Sequence, residues 1–145
     1  MKEELPPEAY DFVDFLNTPL PKDNIIVEIL DSIGKVRAYI ELTYESTNSA
    51  SLKSFLTYLD VNLYRIETSI IGKLNIDSVK TPNGKVEIDN KISKALLSII
   101  YYYLRDLERK IIIAMRDSSS NTYLPKNLLR NVNILSLSVK RVTGL

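Results

Sequence analysis

Residues 98–113 read SIIYYYLRDLERKIII, and this stretch constrains the chain more than any other. Its five charges are confined to Arg105–Lys110, and almost everything around them is aliphatic or tyrosine. A helix that is apolar on nearly every side must lie at the centre of a domain or at an interface. The stripe Leu96, Leu97, Ile100, Leu104, Leu107 and Ile111 accounts for one face. Ile99, Tyr101, Tyr102, Tyr103, Ile112 and Ile113 are left over. That surplus face is expected to meet an N-terminal helix (Phe12, Val13, Leu16), a protein partner or a second copy. Tyrosine suits such a place because its ring is apolar and its hydroxyl tolerates water.

The chain has 145 residues, enough for one domain with a core, and residues 1–145 are read as a single unit. It contains neither cysteine nor histidine. That removes disulfides, thiolate nucleophiles, Cys/His zinc sites, Ser-His-Asp triads and imidazole acid–base chemistry. The four glycines are scattered, so no phosphate-cradling loop or dinucleotide fingerprint is present, and no cofactor is expected. No apolar run approaches the roughly 20 residues that span a bilayer, and the acidic N-terminus lacks a signal-peptide core. A cytoplasmic protein is therefore expected, without a membrane partner. The Ile-, Lys-, Asn- and Tyr-rich usage with scarce alanine is that of AT-rich genomes and is similar to that of many thermophilic archaeal and viral proteins.

Period-two alternation dominates the reading of two segments. Val36, Ala38, Ile40, Leu42 and Tyr44 alternate with polar residues, and Ile25, Val27 and Ile29 fit the same buried face. With Asp31-Ser32-Ile33-Gly34 as the turn, residues 25–44 read as a β-hairpin. Leu135, Leu137 and Val139 alternate with Ser136, Ser138 and Lys140, which reads as a strand near 132–142. A second hairpin is expected where Leu74 and Ile76 oppose Val86 and Ile88 across Pro82-Asn83-Gly84, since Asn-Gly is a strong turn signal. Helical spacing marks residues 52–70 (Leu52, Phe55, Leu56, Leu59, Leu63, Ile66, Ile70), with Asn48 or Ser49 as cap and Gly72 as stop, and also residues 90–116. Pro6-Pro7 opens a short helix over about 7–17. The expected fold is α+β: two β-hairpins plus a C-terminal strand in one sheet, packed by two long amphipathic helices and a short N-terminal helix. The order hairpin–helix, hairpin–helix raises an internal repeat (25–71 and 73–116). Five identities between 51–70 and 92–111 are, however, what two amphipathic helices share by default.

The net charge of +1 conceals a gradient. Residues 1–60 hold five Lys/Arg against eleven Asp/Glu, and residues 116–145 hold five against one. Lys126, Arg130, Lys140 and Arg141, with Asn127, Asn131 and Ser138 among them, form a basic C-terminal third suited to a phosphate backbone. Arg105 and Arg109 follow the three tyrosines and would assist. Carboxylates offer a remoter reading. Asp60 and Glu67 lie two helical turns, about 10 Å, apart, Asp106 and Glu108 share the long helix, and Asp77, Glu87 and Asp89 attend the second hairpin. Solvated faces paired with Lys73, Lys85 and Lys91 explain the latter as well. The functional expectation is a non-enzymatic small subunit or adaptor acting by protein–protein association within a nucleoprotein assembly. Direct DNA or RNA binding through the basic third is the alternative, and a carboxylate–metal enzyme the remote one.

Overall fold

The computed structural model describes residues 25–72, 76, 78–82, 84–116 and 124–145. It is a bundle of four helices: α1 (Ile25–Ser46), α2 (Ala50–Gly72), α3 (Lys91–Arg116) and α4 (Leu128–Thr143). No strand occurs among the described residues. The expected α+β fold is therefore overturned. The short helix expected over 7–17 lies outside the described residues.

The first hairpin is a single helix. Alternation of Val36, Ala38, Ile40, Leu42 and Tyr44 matched a strand, but the buried line runs Ile25, Ile29, Ile33, Val36, Ile40 and Thr43, with Ser32 buried beside it. Their spacings of four and three average 3.6, the period of an α-helix. Leu42 and Tyr44, which a strand would have turned inward, are exposed. Gly34 is not a turn residue but an exposed helical position, and a Cβ built there meets nothing within 4 Å. Glycine in a helix interior costs about 1 kcal/mol relative to alanine. Gly34→Ala is therefore expected to raise the unfolding free energy by about 0.5–1 kcal/mol, seen as a higher urea midpoint at unchanged slope. A loss of stability would return Gly34 to a turn.

The C-terminal strand is also a helix. Leu128, Val132, Leu135 and Val139 form its buried stripe, while Leu137 is 50% exposed. Ser136 and Ser138, expected on a wet face, are buried and bonded: Ser138 donates to the Ile134 carbonyl at 2.8 Å and Ser136 to Glu108 at 2.6 Å. Gly144, at φ 76°, ends the helix in the left-handed conformation and donates its N–H to the Lys140 carbonyl at 2.9 Å.

Of the expected second hairpin, Leu74 and Asn83 lie outside the described residues, and the part that is described holds no strand. Gly84 does take a positive φ of 95°, as a turn glycine should, but the described residues on either side are not paired as strands. Among the described residues neither unit of the repeat contains a hairpin, while the two helices aligned in it are present as α2 and α3.

Three contacts fix α1 antiparallel to α3. Ser46 meets Ser93 at 3.0 Å, Tyr39 stacks on Tyr103 with ring centroids 5.4 Å apart, and Lys110 donates to Ser32 at 2.7 Å. The three-residue link Thr47-Asn48-Ser49 makes α2 antiparallel to α1, and Ser49 caps α2 by accepting from the Leu52 N–H at 3.2 Å. α2 and α3 are then parallel, and the described residues 76, 78–82 and 84–90 belong to the return between them. A 23-residue helix is about 34 Å long, which about ten extended residues can span. The returning chain is pinned at both ends. Val79 donates its N–H to Asn131 Oδ1 at 2.7 Å beside α4, and Glu87 donates to Ser51 Oγ at 2.9 Å at the start of α2. Asn127 also donates to the Ile76 carbonyl.

Asp89 and Asn90 close the far end of the bundle. Asp89 accepts from the Thr47 hydroxyl at 2.6 Å and the Asn48 N–H at 2.9 Å, and these bonds hold its carboxyl below the usual carboxylate range. Asn90 caps α3 by accepting from the Ser93 N–H at 2.8 Å, and its amide donates to the orphan Ser46 carbonyl of α1 at 2.9 Å. The core runs down the axis, where Leu63, Leu97, Ile100, Leu104 and Leu135 are fully buried. α3 packs most extensively, against α1 on one side and α4 on the other, while α2 and α4 touch at few points.

Candidate functional site

α4 and its approach, residues 124–145, contain four cations and neither an acidic nor an aromatic side chain. At 100° per residue, Arg130, Lys140 and Arg141 fall within an arc of about 100° opposite the buried stripe, and Lys126 stands on the turn just before the helix. All four are exposed, and Leu137 lies at the middle of the arc. Arg130 to Lys140 spans ten residues, about 15 Å along the axis. The charges therefore form two pairs, one at each end of the helix. Arg130 donates to Ser78 Oγ on the crossover at 3.1 Å. Lys80, two residues further along the chain, is also exposed.

The polar residues expected to help the cations face inward instead. Asn131 is 1% exposed, and its amide donates to the Asn127 carbonyl at 2.7 Å. Ser138 is buried beside Tyr58, whose hydroxyl is raised above its ordinary value by burial, with Ser138 and Arg141 pulling the other way.

The two arginines of α3 join the arc only in part. Glu108 reaches α4, accepting from Asn133 Nδ2 at 3.0 Å and the Ser136 hydroxyl at 2.6 Å. Arg105, 3.8 Å from Glu108, therefore sits on the α3 edge nearest α4, with its charge answered there. Arg109 turns to Asp106 at 2.7 Å, and Lys110 shares that carboxylate at 3.1 Å. These two add no free charge to the α4 surface.

The surplus apolar face of α3 is divided among several environments. Tyr101 is buried at 8% exposure, and Tyr103 lies half-buried against Tyr39. Ile99 and Ile113 are half-buried. Tyr102 and Ile112 remain open, at 48% and 38% exposure.

The carboxylates read as a candidate pair are clamped. Arg37 of α1 donates to Asp60 at 2.8 and 3.3 Å and to Glu67 at 3.4 Å, and stands 5.4 Å over the Tyr64 ring. The Asp60 hydrogen bond, aided by the Glu67 charge, raises the guanidinium pKa against the effect of burial. Beside this clamp an open groove of about 670 Å³ between α1 and α2 is lined by Glu41, Tyr44, Glu45, Thr57 and Asp60 among others. α1 and α4 occupy opposite corners of the bundle, so part of the sequence's charge gradient survives in space as an acidic corner and a basic one. Among the described residues no group of three or more Asp, Glu, His or Cys side chains could hold a metal ion. Among them also, no helix is long and apolar enough to cross a membrane.

No family model matches the chain, and neither a curated protein nor a solved structure matches it.

Proposed function

We propose that this chain works by association, as a small non-enzymatic subunit of a nucleoprotein assembly, with the outward arc of α4 as its contact to nucleic-acid phosphates. One observation carries the reading: Arg130, Lys140 and Arg141 share one exposed face of α4, Lys126 is exposed on the turn just before it, and residues 124–145 bring no acidic side chain of their own. Cations that neutralise phosphates release condensed counterions, so such a face binds without needing a pocket, and its affinity falls with salt. Four contacts correspond to a slope of about −3.6 in log K against log salt on duplex DNA and about −2.8 on single strands. Fluorescence anisotropy across a salt series measures it. Arg130→Ala is expected to weaken binding several-fold and to reduce the slope by about 1, while Tyr102→Glu leaves both unchanged. Absence of binding to DNA or RNA at 50 mM salt, or a slope indifferent to Arg130, would overturn the reading.

A protein contact on the outer side of α3 is a second reading, favoured by the exposure of Tyr102 and Ile112. Light scattering of the wild type beside Tyr102→Glu separates it from the first, because only a docking role makes that substitution change the mass.

A further inference from the structure

We infer that the nucleic acid taken by α4 is B-form duplex DNA, engaged by its backbone across the major groove and without sequence preference. This rests on the reading of α4 as the phosphate contact and adds the substrate class.

The first ground is spacing. The cations stand in two pairs, Lys126/Arg130 and Lys140/Arg141, whose nearest members, Arg130 and Lys140, are about 15 Å apart along the helix. The major groove of B-form DNA is about 12 Å wide and the minor groove about 6 Å. A helix laid across the wide groove sets one cation pair on each bank, and flexible Lys and Arg stems cover the remaining difference. An A-form RNA duplex has a deep, narrow major groove, and its wide minor groove is recognised through 2′-hydroxyls, for which the arc between the cation pairs has only Leu137 and an Asn133 amide already given to Glu108.

The second ground is the missing platform. Single strands are held by aromatic rings on which bases stack, beside a positive groove. Residues 124–145 contain no aromatic side chain. The tyrosine against α4, Tyr58, is half-buried and packed beside Ser138 and Arg141. Tyr101 is enclosed, and Tyr102, the open tyrosine of α3, stands on that helix and not on α4, about 120° around it from Glu108 and its bonds to α4.

The third ground concerns base reading, which needs hydrogen-bonding side chains between the banks. The positions between the two cation pairs present Leu137, which has no polar atom, and Asn133, whose amide is already given to Glu108. The arc can hold a duplex but has little with which to tell one base pair from another.

The test uses the full chain and four labelled probes at 100 mM salt: a 24-base-pair DNA duplex, a second duplex of scrambled sequence, one strand of the first, and the RNA duplex of the same sequence. The two DNA duplexes are expected to bind within about twofold of each other and at least tenfold more tightly than the single strand or the RNA duplex. Lys140→Glu with Arg141→Glu, checked for retained helicity by circular dichroism, should lower duplex affinity at least tenfold. A single strand or RNA duplex bound as tightly as DNA, or a tenfold preference between the two DNA sequences, overturns this inference while leaving phosphate binding by α4 intact. Failure of all four probes even at low salt removes both.

Discussion

Leu104→Ala is expected to lower the unfolding free energy by about 3–4 kcal/mol. Leu104 is fully buried near the middle of α3, the helix that packs on both α1 and α4. Removing three carbons there forfeits the transfer energy of the lost groups and leaves a cavity that two neighbouring helices must collapse together to fill. Domains of this size are stable by only about 5–15 kcal/mol, so the loss takes a large share of the total. A urea titration should show a much lower midpoint at unchanged slope. Tyr102→Ala, two positions away on the same helix but open to solvent, should move the midpoint by no more than about 0.5 kcal/mol. Similar losses at both positions would mean that α3 is covered on all sides, contrary to the orientation described here.

The contrast between those two residues also marks what the sequence disclosed. α2 and α3 were legible because their apolar positions follow an unbroken 3.6 period, and the aligned stripe picked out the buried line Leu97, Ile100, Leu104, Leu107 and Ile111. α1 and α4 were misread because a helix can also carry apolar residues two apart. Leu42 and Leu137 completed an apparent strand alternation although both are exposed. The longer stripes, Ile25 to Thr43 and Leu128 to Val139, distinguish the two periods, but Asp31-Ser32-Ile33-Gly34 divided the first before its length could count. The crossover was illegible for a different reason. Its path is set by Asn127, Asn131 and Ser51, which are remote in sequence and carry no local signal of their partners.

Correcting α4 changes the meaning of its charges. On a strand, Lys140 and Arg141 would point to opposite faces, and Arg130 would stand before the strand began. On a helix the two residues are 100° apart and lie with Arg130 on one arc, just beyond the turn that carries Lys126. Composition alone showed the cluster of cations. Convergence came from the secondary structure that the alternation of Leu135, Leu137 and Val139 obscured. The helical assignment also separates Arg109 from this group, since its neighbour one turn back, Asp106, takes its charge.

Glu108→Ala is expected to cost about 2–4 kcal/mol. Glu108 was noted in the sequence only as a carboxylate near Asp106, yet it is 7% exposed and ties α3 to α4 through Asn133 and Ser136. Its removal leaves the Asn133 amide without its acceptor and the Ser136 hydroxyl with only the Asn133 carbonyl at 3.0 Å, and losing the acceptor of a polar group costs more than a hydrogen bond stabilises. Arg105 also loses the carboxylate 3.8 Å away. The seam should respond differently when both sides are changed. Glu108→Leu combined with Ser136→Ala removes acceptor and hydroxyl together, and replacing a buried polar pair by packed apolar groups is often nearly neutral. Urea titrations of the two single variants and the double variant form a cycle whose interaction energy should exceed about 1 kcal/mol. Additive losses would mean that Glu108 and Ser136 do not share a bond. In that case the orientation of α4 against α3, and with it the direction of the basic arc, would rest on the leucine and valine stripe alone.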